Sequence, residues 1–408
     1  MNMLLRLSPL LLCLLLCSCA STARQGQNSL RIGSWNLEHF GSSPALRAVT
    51  DPGQPRRELP GRDDGDLKKI GAFITELGVS VLAVQEINGE APLRQLCPHI
   101  GPSWDCFLGT SGGWTDGKSS QAIGFLYDTA RVRLLWAEEL NDFPREQDGL
   151  PIYHRVPVTA CFQDTRTGID FRAVCVHLKA GRDKSDVQKR KLEATGLRDW
   201  LVLLQSNKGE DQDIVVMGDF NSTYGDDPQT VFEEAGVARY LPQPKPEPTI
   251  LHFPEPIDQI AASPRFLEIV PHTFDAHGEA STKDRDAWRK TYSDHFPVTV
   301  DLVAAGDDDP QATFSHGKNL HVLPVSLRPQ PDPATKSDAA AEPSAARPQR
   351  ADPFPIGTAV YVFTTNGDKI GGTLLAPLGE WVVLRDVPNY VIRAFPAAQV
   401  REVQKQKQ

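Results

Sequence analysis

The chain has 408 residues, 40% of them hydrophobic and 23% charged, a globular composition on a length that exceeds one ordinary domain. A net charge of −9 at pH 7 excludes loose binding of nucleic acid through a whole-surface field, because polyphosphate affinity rests on clustered Lys and Arg. It leaves room for an enzyme that grips a few phosphates in one cleft.

The opening stretch "MNMLLRLSPLLLCLLLCSCA" carries Arg6, an apolar run from Leu7 to Leu16, and small residues before Cys19. The run is too short to span a bilayer and reads as an export signal. Its ending "LCSC" resembles a bacterial lipobox, with Cys19 as the residue that would be lipidated. On that reading residues 1–19 are a lipoprotein signal and 20–29 a polar tether to a membrane. Ala20 resembles the sorting residue of outer-membrane lipoproteins, facing the periplasm or the exterior. Cys17 is an unusual lipobox occupant, so plain secretion is the alternative.

Residues 30–303 read as one α/β body. Apolar runs of strand length recur in "LRIGSWN", "VSVLAVQE", "AIGFLYD", "RVRLLWA", "VPVTACF", "FRAVCVHL", "DIVVMGDFN", "IDQIAAS" and "FPVTVDL". In "DLKKIGAFITELG", Ile70, Phe73, Ile74 and Leu77 fall on one helical face, with Asp66 placed to cap the start and Gly78 the end. In "DVQKRKLEATGLRDWLVLLQS", Leu197, Trp200, Leu201 and Leu204 form the apolar face, and Lys189, Arg190 and Lys191 are expected in solvent. Residues 41–65 and 271–292 are long polar loops, which in a compact domain are functional or disordered. Outside the signal stand four cysteines, Cys97, Cys106, Cys161 and Cys175. An even set in an exported protein suggests Cys97–Cys106 and Cys161–Cys175 bridges, the second across a hairpin at "DTRTG". Four unpaired buried thiols are the alternative.

From 304 to 355 the chain is rich in Pro, Ala and charge and is expected to be a disordered linker. Residues 356–403 return to alternating strands around a "TNGDK" turn. They suggest a small SH3-like or Sm-like β-barrel; "VYVFTTNGDKIGGTLL" resembles the first Sm motif. Its ligand is not specified by the sequence.

Several strand-like runs end or begin on polar residues of restricted kinds: Asn36, Glu86, His177, Asp219 and Asn221, Asp258, and Asp294 with His295. Residues at one rim of several strands can converge although far apart in sequence. "GDFN" followed some 75 residues later by "SDHFPV", with "WN" and "QE" upstream, resembles the endonuclease/exonuclease/phosphatase superfamily over residues 30–303. The resemblance implies an α/β DNase I-like four-layer sandwich, two packed β-sheets flanked by helices. It implies phosphodiester hydrolysis by metal-assisted in-line attack of water, with Mg²⁺ as cofactor, Mn²⁺ as a substitute and a structural Ca²⁺ site left open. It assigns Glu86 as metal ligand, Asn36 beside it and Asp294 near the metal. His295 becomes general base or phosphate partner, oriented by Asp258. Asp219 and Asn221 orient the water and the transition-state oxygens, and Arg155 and His177 contact phosphate. Two departures stand out. Pancreatic-type DNases carry Arg where Asn88 stands, and a Glu partner of the first histidine where Gln121 stands, so His177 is expected to stay neutral.

The leading expectation is an exported, membrane-tethered monomer that cleaves DNA. Arg56, Arg57, Arg62, Lys283, Arg285, Arg289 and Lys290 are candidate backbone contacts, and Trp114 and Trp288 candidate base-stacking residues. Tyr127 is expected to be packing. The alternatives are a sphingomyelinase or phosphoinositide phosphatase of the same superfamily, and a non-catalytic binding lipoprotein.

Overall fold

The computed structural model describes residues 29–41, 61–112, 121–303 and 306–316, apart from 148, 208, 224, 245–246 and 279–283, together with strand segments between 359 and 405. Residues 1–28 with Cys19, as well as Arg56, Arg57, Trp114, Lys283, the linker stretch 317–355 and the TNGD turn residues, lie outside the described residues.

The chain opens with β1 (Leu30–Phe40), α1 (Asp64–Leu77), β2 (Val81–Ile87), α2 (Glu90–Ile100), β3 (Trp104–Leu108), β4 (Ala122–Asp128) and β5 (Val132–Glu139). A two-residue hairpin, β6 (Glu146–Gln147) and β7 (Leu150–Pro151), leads to β8 (Val158–Asp164), β9 (Asp170–His177) and α3 (Lys184–Ser206). Then come β10 (Ile214–Asp219), α4 (Asp227–Glu234), β11 (Arg239–Tyr240), β12 (Asp258–Ala262), β13 (Asp275–Ala276), α5 (Arg285–Thr291) and β14 (Val298–Leu302). Two six-stranded mixed sheets result, ordered β13-β14-β1-β2-β4-β3 and β11-β12-β10-β9-β8-β5.

The strands are apolar on both faces because both faces are covered. In β10, Val215 and Met217 enter the core between the sheets with Ile32, Phe125 and Ile260. The alternate residues Ile214 and Val216 pack under Trp200 and Leu204 of α3 and Phe232 of α4. On the far side Trp35 and Leu82 meet Ile70 and Ile74 of α1 and Leu93 of α2. The layers are thus helix, sheet, sheet, helix, as expected of the DNase I-like sandwich. No described helix is long and apolar enough to cross a membrane.

Local chemistry refines several expectations. Asp63, not Asp66, caps α1: Asp63 accepts from the Asp66 N–H at 2.9 Å and the Asp66 carboxylate reaches back to the Asp63 N–H, a capping box. Gly78 closes the helix at φ 67°. Arg190 is buried rather than in solvent, donating to the Lys179 and Gly181 carbonyls at 2.7 and 2.9 Å.

The four cysteines are free thiols. Cys97 and Cys106 are neighbours within hydrogen-bonding reach, with no bond between them. Cys161 and Cys175 lie on the expected hairpin, but the register sets Cys161 opposite Arg172 and Cys175 opposite Val158. Cys175 therefore enters the inter-sheet core and Cys161 the other face, so this pair cannot bridge.

The body also runs past residue 303. Thr313 pairs with Glu210 in an isolated bridge, and the Ser315 N–H donates to Glu210 Oε2 at 2.8 Å. Arg172, fully buried, donates to Glu210 Oε1 at 2.6 Å and to the Ser315 carbonyl at 2.7 Å, with Phe314 and Trp136 against its guanidinium. A disordered linker is therefore not what residues 306–316 form. They are a strap that completes a buried ion pair.

The C-terminal segments form a separate unit. Its strands are β15 (Ala359–Thr364), β16 (Lys369–Leu378), β17 (Trp381–Arg385), β18 (Ile392–Pro396) and β19 (Val400–Lys405), paired antiparallel in the order β18-β17-β16-β15-β19.

Candidate active site

The polar strand ends meet at one rim. β9 and β10 run parallel with His177 beside Asp219, and antiparallel β12 sets Asp258 on the other side of Asp219. The neighbouring sheet supplies Asn36 from β1 and Glu86 from β2, and the turn into β14 supplies Asp294 and His295. Gly218 is required by close approach: a Cβ there would sit 1.9 Å from the Val176 carbonyl oxygen. Four of the six described non-glycine residues with positive φ, Glu38, His39, Glu86 and Asn221, lie in or beside this rim. Backbone in that region is costly and persists where the surroundings over-determine it, as they do at functional sites.

The Asn36 amide nitrogen donates to Glu86 Oε1 at 3.2 Å and to Asp219 Oδ2 at 3.1 Å, joining the two sheets' carboxylates. Its oxygen accepts from the Glu38 N–H at 3.0 Å. In this arrangement Asn36 tethers the two carboxylates through its amide nitrogen. His177 Nε2 lies 3.5 Å from Asp219 Oδ2 and 3.9 Å from Glu86 Oε1. His295 Nδ1 is 2.8 Å from Asp258 Oδ2, while its Nε2 faces Asp219 Oδ2 at 3.8 Å and Asp294 Oδ1 at 3.9 Å. Asn221 donates twice: its N–H to Asp219 Oδ1 at 2.9 Å and its amide to the Leu178 carbonyl at 3.1 Å. Arg155 is held by the His177 carbonyl at 3.2 Å and Gln121 Oε1 at 2.6 Å.

Burial and charge push these groups apart in acidity. Burial raises the Asp219 carboxyl to about 7, against the pull of His295 and with a further push from Asp258. Burial lowers His295, yet the Asp258 carboxylate, with Asp219 and Asp294, lifts it well above the usual histidine value. His177 is held well below that value by burial and by the Arg155 and His295 charges, so it is neutral at pH 7. Two histidines at one rim thus carry different charges.

Several supporting residues had no sequence signal. Glu38 accepts from Arg289 Nε at 2.8 Å and from the Asp294 N–H at 3.1 Å. Ser293 Oγ donates to the Asn36 carbonyl at 2.6 Å and accepts from the His295 N–H at 3.0 Å. Gln121, expected opposite His177, instead holds Arg155, and His177 Nδ1 has no partner among the described residues. Each is a contact across distant segments, which no local pattern encodes.

The basic loops are largely consumed inside the fold. Arg62 donates to the Glu38 carbonyl at 2.9 Å and to the Tyr292 carbonyl at 2.6 Å, Arg285 to the Leu251 carbonyl at 3.0 Å, and Arg289 to Glu38. Trp288 is buried against Phe73, Tyr292 and Phe296, so it is core and not a stacking platform. Lys290 is exposed. Tyr127 is packing, its hydroxyl on Asp105 at 3.3 Å. An open groove of about 830 Å³ leads away from Asn221 past Arg182, His252 and Phe253, with the Arg182 guanidinium 4.4 Å over the Phe253 ring.

The profile of the Endonuclease/Exonuclease/phosphatase family matches residues 33–295, the span from β1 to His295. The chain belongs to this family. Its members are hydrolases acting on phosphoester bonds. Solved structures similar to this family member include an endonuclease/exonuclease/phosphatase from Bacteroides vulgatus, at 18% identity over 67% of this chain and 98% of that one, with a TM-score of 0.47. A mannosyl-6-phosphatase from Bacteroides thetaiotaomicron matches at 19% identity over 67% and 99%, TM-score 0.44. D. rerio TDP2 complexed with a single-strand DNA product matches at 18% over 67% and 98%, TM-score 0.45. No curated protein sequence matches the chain.

Enzymes of the family are generally dependent on a divalent metal. Asp219, Asp258 and His295 offer polar atoms within 4.8 Å of one another, but the pairing of His295 with Asp258 at 2.8 Å leaves Glu86 and Asp294 as the carboxylates that suit a divalent metal. Glu86, on the open side of Asn36, adds a carboxylate that is 15% exposed, so an ion has a path in.

Proposed function

We propose that this family member is a divalent-metal-dependent phosphodiesterase that cleaves DNA as an endonuclease. The observation that carries the reading is the meeting of Asn36, Glu86, His177, Asp219, Asp258 and His295 at one rim, with a groove of about 830 Å³ leading away from the adjoining Asn221. Glu86 and Asp294 would hold Mg²⁺ or Mn²⁺, which supplies neutralisation of the phosphate charge when bound. Asp219, raised to about 7, takes the proton of the attacking water near neutral pH. The His295 imidazolium, held by Asp258, donates from Nε2 to a non-bridging phosphate oxygen, and Arg155 with neutral His177 supplies further donors. The scissile P–O bond breaks in line, and the leaving oxygen is protonated from water.

The sphingomyelinase alternative fits less well, since Phe274 and Trp288 are buried and leave the described part of 271–292 without an apolar surface for lipid. The test is incubation of the purified protein with supercoiled plasmid and Mg²⁺, with and without chelator, beside sphingomyelin and a phosphomonoester. Metal-dependent nicking supports the reading; intact plasmid with cleavage of either other substrate overturns it.

The N-terminal signal and Cys19 are proposed to tether the enzyme to a membrane. Loss of membrane fractionation in Cys19→Ala is the expected result, and unchanged fractionation counts against the tether.

A further inference from the structure

A second group of carboxylates lies at the other end of the sandwich. Asp213 immediately precedes β10, six residues before Asp219, so the two ends are roughly 20 Å apart along the strand. Asp213, Glu268, Asp307 and Asp308 bring ligand oxygens within 4.8 Å of one another, and Asp211, Asp213 and Asp309 form a second such set that shares Asp213. Asp211 and Asp213 are each 1% exposed and Glu268 is 4% exposed.

Acidic clusters are common and by themselves indicate nothing. This one differs because its buried oxygens are orphaned. Asp211 Oδ2, Asp213 Oδ2, Glu268 Oε2 and Asp309 Oδ1 are all buried without a hydrogen-bond donor among the described residues. Ionised carboxylates only accept, so the facing oxygens cannot satisfy one another, and the donors in reach go to other oxygens, the Asp213 N–H to Asp211 Oδ1 at 2.7 Å and the Asp309 N–H to Asp307 Oδ1 at 3.1 Å. The charges acting most on Asp213 are themselves carboxylates, Glu268, Asp211, Asp308 and Asp309. Burying such groups without a counter-charge costs several kcal/mol per ion.

We propose that Asp211, Asp213, Glu268, Asp307, Asp308 and Asp309 form a second cation site, of the Ca²⁺ class, separate from the catalytic rim. Ca²⁺ takes six to eight oxygens in flexible geometry, whereas Mg²⁺ demands an octahedron and keeps its waters. The donors here are oxygens from irregular segments flanking β10, β12 and β14, and exposed Asp308 gives an approach from solvent. The site has a structural consequence. Asp307–Asp309 begin the strap whose Thr313 and Ser315 cover the Arg172–Glu210 pair. A bound cation fastens the start of that strap to the body.

The test uses the full chain freed of metal by chelation. CaCl₂ titrated into it gives a calorimetric binding isotherm and raises Tm by roughly 5 °C at a hundredfold excess over Kd. Glu86→Gln, which weakens the catalytic rim's own donors, keeps that rise. Asp213→Asn and Asp307→Asn with Asp308→Asn lose it, while the second variant keeps wild-type hydrolysis in Mg²⁺. Without cation, Asp213→Asn is at least as stable as wild type, because its amide donates to the carboxyl oxygens that face it. Should Asp213→Asn fail to fold, the exposed Asp308→Asn change alone still weakens Ca²⁺ binding at least tenfold. The proposal is overturned by no Ca²⁺-dependent rise in wild type, by an equal rise with Mg²⁺, by loss of the rise in Glu86→Gln, or by its persistence in the aspartate variants.

Discussion

Asp258→Asn isolates the contribution of one charge. Asp258 is fully buried and its Oδ2 lies 2.8 Å from His295 Nδ1. Asparagine keeps the shape and can still accept from Nδ1–H, so orientation survives and only the negative charge is lost. With charge centres about 4 Å apart and an effective dielectric of about 20, that charge stabilises the imidazolium by about 4 kcal/mol. Divided by 1.36 kcal/mol per decade, this is roughly a thousandfold. Asp219 and Asp294 also face His295 Nε2 and return part of it, so the expected fall in kcat/KM is about 10²- to 10³-fold. The assay is hydrolysis of an activated phosphodiester in saturating Mg²⁺, with Tm measured on the same sample to confirm folding. Asp258→Ala, which loses orientation as well, should fall further. A folded Asp258→Asn within tenfold of wild type would refute the argument that the imidazolium charge acts in the reaction.

Chelation should abolish hydrolysis and Mg²⁺ or Mn²⁺ restore it, and Glu86→Ala should raise the Mg²⁺ concentration for half-maximal rate; an unchanged metal requirement removes Glu86 as a ligand. Gln121→Leu releases Arg155 from its 2.6 Å partner and should raise KM about tenfold, the value of a charge-assisted hydrogen bond, with kcat little changed. Arg172→Ala leaves Glu210 buried and unpaired and should cost about 3–5 kcal/mol in denaturant unfolding; a chain ending at residue 303 should also be less stable, since Ser315 is part of that site. Because the His295 pKa is raised in the fold, its stabilising contribution is complete below an unfolded value of about 6.5 and is lost as pH rises through the folded value. The stability difference between wild type and Asp258→Asn in chelator should therefore shrink with rising pH, and a constant or growing difference contradicts the pairing.

The strand-length apolar runs of the sequence all became strands, because both faces of both sheets are covered and a buried strand must be apolar throughout. The polar residues punctuating those runs were equally legible, since a carboxylate or imidazole at the end of an apolar strand has few structural reasons to be there. Two apolar runs around "DTRTG" also revealed the hairpin holding Cys161 and Cys175, but not its register. The register decided that the two thiols point to opposite faces. The basic loop residues show the same limit: Arg62 and Arg289 look alike in sequence whether they face solvent or Glu38.

Sequence alone determined nine of the strands, helices α1 and α3 and the polar residues at the strand ends, for these follow from local periodicity and side-chain chemistry, while the sandwich was implied by resemblance to a known superfamily. Tertiary structure alone decided that Gln121 serves Arg155, that Glu38 and Ser293 fix the turn into β14, and that residues 306–316 close over Arg172. It also gathered Asp211, Asp213 and Glu268 with Asp307–Asp309. Such contacts join segments far apart along the chain, and their energy depends on distance and burial, which exist only once the backbone is folded.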